Sequence, residues 1–189
     1  MRRTVEYFEK PGRHNTEKCI DIIENLVAEE DYRDIVIAST SGDTGLMVAG
    51  RLKGKDVNLV VVGHSTGFTK PNRNEFSQEA HKKILELGGH IYQGTILTHS
   101  LEVGLATKFS GTYPTIIMAN TLRRLGQGIK VCCEIVMEAC DGGLIEEGKN
   151  VVAVAGTVKG SDTVAIVKSA ASSRFLDLYV SEILAKPRT

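Results

Sequence analysis

Ile35-Val-Ile-Ala-Ser39-Thr40-Ser41-Gly42-Asp43-Thr44-Gly45 passes from a short apolar run into a cluster of hydroxyls and glycines. A helical pattern of apolar residues follows at Leu46, Met47, Ala49 and Leu52. Strand, small-residue loop and helix start, in that order, make a cradle for an anion. The first amides of a helix lack partners within it and carry partial positive charge. Hydroxyls add donors, and glycine lets the backbone approach a phosphate closely. The pattern predicts that Ser39, Thr40, Ser41, Gly42, Asp43 and Thr44 hold a phosphate-bearing ligand. The same residue types make ordinary turns and caps. The stretch also matches neither G-x-x-x-x-G-K-[ST] nor G-x-G-x-x-G. On the cradle reading, Gly42→Val crowds the phosphate and leaves the fold intact.

Composition narrows the partners. The chain has 189 residues, enough for one domain with a substantial core, and nothing in it marks a linker, so residues 1–189 are read as a single domain. Lys+Arg and Asp+Glu both number 23, which argues against a nucleic-acid surface, since that needs a basic excess. With no Trp and few aromatics, a stacking platform for single strands is not expected. No apolar run is long enough to span a bilayer, so no membrane partner is expected. Met1-Arg-Arg-Thr-Val-Glu-Tyr-Phe is too polar for a secretory signal, and a cytoplasmic location with reduced thiols is the expectation. Cys19, Cys132, Cys133 and Cys140 form no C-x-x-C and have no His at ligand spacing, so no metal is expected.

The elements alternate. Val5 to Phe8 reads as a strand, and Asn15-Thr16-Glu17 as a helix start capped by Asn15 or Thr16. Cys19, Ile22, Ile23, Leu26 and Val27 then form one apolar helix face. Strands follow at Ile35 to Ala38 and Leu59 to Val62, then a helix near Gln78 to Leu87 and a strand near His90 to Gln93. Thr98 to Phe109 reads as a helix with Leu101, Leu105 and Phe109 on one side. Helical spacing resumes over Thr115 to Leu125 and over Ile129 to Cys140. Val151 to Ala155 and Val164 to Val167 are strands joined only by the Gly156 to Thr163 loop, too short for a helical crossover. They are expected to pair antiparallel at a sheet edge, with a short helix near Phe175 to Leu184 ending the chain. The fold class is α/β: a three-layer α/β/α arrangement on a mostly parallel sheet.

Ligands of such sheets lie at the carboxyl ends of the strands, where strand order reverses. Four polar loops leave strand ends here: Lys10-Pro11-Gly12, Ser39 to Thr44, Gly63 to Phe68, and Gly156 to Thr163. Parallel strands would gather all four at one edge. His64 is an acid/base candidate or a plain loop residue, and Lys10 an anion contact or a solvated charge. Asp162 reads as a turn-shaping residue, and Glu134, in an apolar helix, as a buried hydrogen-bonded carboxylate. His14 and His99 have no evident role.

Several spaced motifs carry a resemblance. They are Tyr7-Phe8-x-Lys10-Pro11-Gly12-x-x-Asn15-Thr16-Glu17, the Ser39 to Thr44 loop, His64-x-Thr66-Gly67-Phe68, Gly128-x-Lys130-Val131-Cys132-x-Glu134 and Gly160-x-Asp162-Thr163. The stretch from Lys130 through Val167 resembles the C-terminal α/β domain of pyruvate kinase, and the whole chain is similar to stand-alone archaeal and bacterial proteins of that type. The resemblance implies no pyruvate kinase activity, because the catalytic barrel is absent. It implies flavin mononucleotide (FMN) as cofactor. The phosphate would lie on Ser39, Ser41, Gly42, Asp43 and Thr44. The ring would lie near His64, Thr66, Gly67 and Phe68, with Lys10, Pro11 and Gly12 nearby. Gly156, Gly160, Ser161, Asp162 and Thr163 would stand opposite.

Three readings follow: an FMN-binding protein whose cofactor could serve a redox reaction, a sensor of a sugar phosphate or other phosphorylated metabolite, and an interaction protein without a small ligand. A homo-oligomer is expected in any case, because Thr98 to Leu125 is more apolar than a solvated loop should be.

Overall fold

The structure is a computed structural model and describes residues 2–188. In chain order the elements are β1 Glu6–Phe8, α1 Thr16–Glu29, β2 Asp34–Ala38, α2 Asp43–Arg51, β3 Asn58–His64, α3 Gln78–Glu86 and β4 His90–Gly94. They continue with α4 Leu101–Phe109, α5 Pro114–Leu122, α6 Gln127–Asp141, β5 Asn150–Ala155, β6 Thr163–Lys168 and β7 Tyr179–Pro187. Short 3-10 turns lie at Arg13–Asn15, Leu97–His99, Arg123–Leu125 and Ser172–Asp177.

The strands form one sheet in the order β1-β7-β6-β5-β2-β3-β4. Strands β5, β2, β3 and β4 run parallel, β6 runs against both β5 and β7, and β7 runs parallel to β1. Both faces are covered, so the central strands are apolar at successive positions. Ile35, Ile37, Val61, Val152 and Val154 pack under α1, α2 and α3. Val36, Val60, Val62, Val151 and Ala153 pack under Ile129, Cys132, Ile135, Val136 and Ala139 of α6. The three-layer, mostly parallel architecture is the one the sequence leads us to expect.

Gly128 lets α6 approach the sheet. A Cβ there would stand 2.0 Å from Thr163 Oγ1 at the start of β6. Cys19, Cys132 and Cys133 are packing groups: burial pushes the Cys19 thiol up to about 12 and the Cys133 thiol up to about 11.

Four local expectations need correction. The β5–β6 hairpin is antiparallel but lies inside the sheet, with β7 and β1 beyond it. Phe175 to Leu184 is not a helix: a 3-10 turn leads into β7. Register shifts against β6 break the alternation that would have marked that strand. Asn15 stands at the cap position of α1, but its amide donates to Lys10 O at 2.8 Å, while Thr16 Oγ1 accepts from Ser161 N at 3.0 Å. Thr98 to Phe109 divides into a 3-10 turn and α4, and α4 buries none of its side chains. Leu101, Leu105 and Phe109 stay exposed.

Candidate functional site: a cleft at the carboxyl ends of the strands

Because β1, β2, β3, β4 and β5 share a direction, the loops that leave them meet at one edge. A cleft of about 730 Å³ opens there, beside the point where β3 and β5 flank β2 on opposite sides. That is where α/β sheets place ligands, and the volume lies within the usual range for small-molecule sites, about 300–1,000 Å³.

The wall from β2 and α2 carries Ser39, Thr40, Ser41, Asp43 and Thr44. Ser39 Oγ accepts from Gly45 N at 3.2 Å, so this hydroxyl serves the helix start. The amides of Asp43 and Thr44 have no partner among the described residues. Gly42 plays a different part from the one expected. It has φ +91°, and an added Cβ would lie 2.7 Å from both Ala80 Cβ and the Phe76 ring. Gly42→Val would therefore disturb the packing of α2 on α3, and is no clean probe of a ligand.

The second wall comes from the loops after β1 and β5. Arg13, Thr16, Gly156, Thr157, Lys159 and Gly160 line it. Asp162 holds these loops together from behind. It is fully buried, and its carboxylate accepts from Gly12 N at 2.9 Å, Thr157 N at 3.2 Å, Thr157 Oγ1 at 2.8 Å and Thr163 Oγ1 at 2.9 Å. Four donors satisfy the buried group, in keeping with the turn-shaping reading. Arg13 and Lys159 form no ion pair among the described residues.

At the mouth, Thr40 Oγ1 lies 3.5 Å from His64 Nε2, and His64 Nδ1 lies 3.3 Å from Glu75 Oε2. Phe68 packs on the His64 ring with centroids 4.3 Å apart. A hydroxyl, an imidazole and a carboxylate in a row can pass a proton to or from a bound molecule. Glu75 is not legible from motif spacing, because it reaches His64 only after the loop folds back.

The floor is α6. Lys130, Glu134 and Glu138, four residues apart, lie on one stripe and are each at most 3% exposed. Lys130 pairs with Glu134, which also accepts from the Thr98 hydroxyl. Lys130 Nζ lies 3.4 Å from His99 Nδ1. Burial pulls the Lys130 ammonium down against the pull of Glu134. Burial and the adjacent Lys130 hold His99 below the usual imidazole range. Glu138 Oε1 has no hydrogen-bond partner, and burial pushes this carboxyl up to about 8.

Of the residues singled out in the sequence, Ser39, Thr40, Ser41, Asp43, Thr44, His64, Phe68, Gly156 and Gly160 line the cleft. Gly42, Thr66, Gly67, Ser161, Asp162, Thr163, Lys10, Pro11 and Gly12 lie outside its lining. Lys130, Thr98, His99, Glu138, Arg13 and Glu75 acquire places that their positions in sequence did not assign. Three charges at i, i+4 and i+8 in an otherwise apolar helix were the available signal.

Fold and cleft together define an open α/β domain with a cleft at the strand carboxyl ends. Residues 17–167 match the family model of the pyruvate kinase alpha/beta domain, and the chain belongs to that family. Among solved structures, it is similar to O-ureido-L-serine synthase at 20% identity and a TM-score of 0.32. That match covers 52% of this chain and 30% of the other, so the chain spans less than a third of that protein.

Proposed function

We propose that this protein binds a phosphate-bearing small molecule in the cleft, with the phosphate at the start of α2. The observation that carries this reading is one cleft lined both by the start of α2, where the amides of Asp43 and Thr44 have no partner among the described residues, and by Arg13 and Lys159, which form no ion pair among those residues. Helix-start amides and cations lining one cleft are complementary to a dianion. FMN is the ligand we propose first, because of the resemblance drawn from the motifs. Phe68 and His64 offer flat surfaces at the mouth for a ring system. A sugar phosphate in a sensing role is the other ligand of the same chemistry.

Titration with FMN, followed by flavin fluorescence and thermal stability, tests the proposal, with riboflavin as the control lacking phosphate. FMN should raise the melting temperature in a concentration-dependent way, and riboflavin should do so much less. The Arg13→Ala/Lys159→Ala protein should lose about tenfold or more in FMN affinity. Stabilisation by sugar phosphates alone would move the assignment to the sensing role. No response to FMN, sugar phosphates or inorganic phosphate would sink both.

A further inference from the structure

The α2 end of the cleft accounts for a phosphate but not for the polar groups buried on α6. Glu138 is 2% exposed, lines the cleft, and has an oxygen with no partner. A buried polar group without a partner costs stability and calls for an explanation. The groups around it do not supply one. On its own helix it faces Glu134, Lys130 and Asp141; Tyr92 approaches from β4, and the Leu97 backbone N–H, in the turn before α4, donates toward the carboxyl and favours its charged form but leaves Oε1 without a partner. Burial, then Glu134 and Asp141, disfavour a negative charge here, and they outweigh the opposing pull of the Leu97 N–H and of Lys130, whose ammonium is paired with Glu134.

We infer that Glu138 is the heart of a second subsite, on the floor of the cleft, which takes an uncharged hydrogen-bond acceptor of the ligand, a carbonyl oxygen or a ring nitrogen. This rests on the reading above, which supplies the other end of the same molecule. A protonated carboxyl in this place donates its O–H to the ligand, a role an ionised one cannot fill. The raised ionisation point of Glu138, about 8, keeps that proton in place at neutral pH. The subsite thus selects a molecule with a phosphate at one end and a neutral polar ring or carbonyl at the other.

The test uses the intact chain and two probes, FMN and inorganic phosphate, with the Glu138→Gln and Glu138→Leu variants. Gln keeps the shape and a donor; Leu keeps only the shape. FMN affinity should fall about tenfold or more in Glu138→Leu and stay within about threefold in Glu138→Gln. Phosphate affinity should be equal in all three. Equal FMN affinity for Glu138→Leu and the parent overturns the inference.

Melting of the ligand-free proteins decides it independently of any ligand. Glu138→Leu should melt higher than the parent, because a group held for a ligand costs stability. A lower melting point would mark a structural carboxyl, satisfied by a buried water only, and overturn the subsite. The folded chain holds the Glu138 proton up to about 8, whereas the unfolded chain releases it near 4.5. Stability therefore drains away as pH rises through that window, and the melting gap between Glu138→Gln and the parent should widen across it. A flat gap would likewise overturn the inference. If neither FMN nor phosphate binds the parent, the phosphate reading falls and these melting curves still decide the role of Glu138.

Discussion

Lys130 and Glu134 set the terms at the scale of single residues. Both are buried, and each is the other's counter-charge. Removing one partner strands a charge in a low dielectric, whereas removing both removes the problem. Lys130→Met is expected to destabilise the protein by about 3–5 kcal/mol, and Lys130→Met/Glu134→Leu by much less. Urea denaturation of the four proteins in the cycle measures the difference, and additive losses would contradict it. The sequence shows the charges but not their surroundings. A stripe at i, i+4, i+8 looks the same whether it faces water or the floor of a cleft. Glu134 could be read as buried because its neighbours are apolar. Glu138 and His99 could not, because their environment comes from the Leu97–His99 turn, whose contact with α6 no spacing encodes.

At the scale of elements, α6 shows packing overriding propensity. Alanine is a better helix former than glycine by up to about 1 kcal/mol. At position 128, however, the added Cβ would stand 2.0 Å from Thr163 Oγ1, and that hydroxyl is tied to Asp162. Overpacking costs about 1–3 kcal/mol, so Gly128→Ala is expected to lower stability by about 1 kcal/mol despite its helix propensity. A chemical denaturation midpoint equal to or above the parent's would contradict this. The helices and parallel strands were largely legible, since α1, α2, α3 and α6 carry apolar faces at helical spacing and β2, β3 and β5 are apolar on both faces. The exception was β7. Its bulged pairing with β6 hides the alternation of a strand, and its apolar residues fit a short helix equally well.

At the scale of the whole molecule, α4 and α5 leave several large apolar side chains outside the core. Leu101 is 82% exposed and Phe109 70%, and Ile117 and Leu125 also face outward. Large exposed apolar patches commonly mark interaction faces. The expected outcome is self-association: sedimentation of the parent protein should show a species heavier than one chain, and Leu101→Ser/Phe109→Ser should return it toward a single chain. A parent protein that sediments as one chain at all concentrations would refute this. The convergence of loops at one edge was legible from the expected parallel direction of the strands, though not from their order. The division of labour among those loops was not. Gly12, which the resemblance placed near the ligand, instead donates its N–H to Asp162, the residue read as shaping a turn, across the backs of two loops.

The pairing of β1 with β7 has a consequence for how the chain is made. Strand β1 precedes every other strand in the sequence, yet its hydrogen-bonding neighbour, Ala185 to Pro187, belongs to the strand that follows them all. This edge of the sheet therefore closes only after β7 has left the ribosome. The loop that brings Arg13 to the cleft hangs from that edge. A nascent chain arrested before Tyr179 would have β6 as its open border and the Arg13 wall without its strand anchor. The central strands can form ahead of the site they serve.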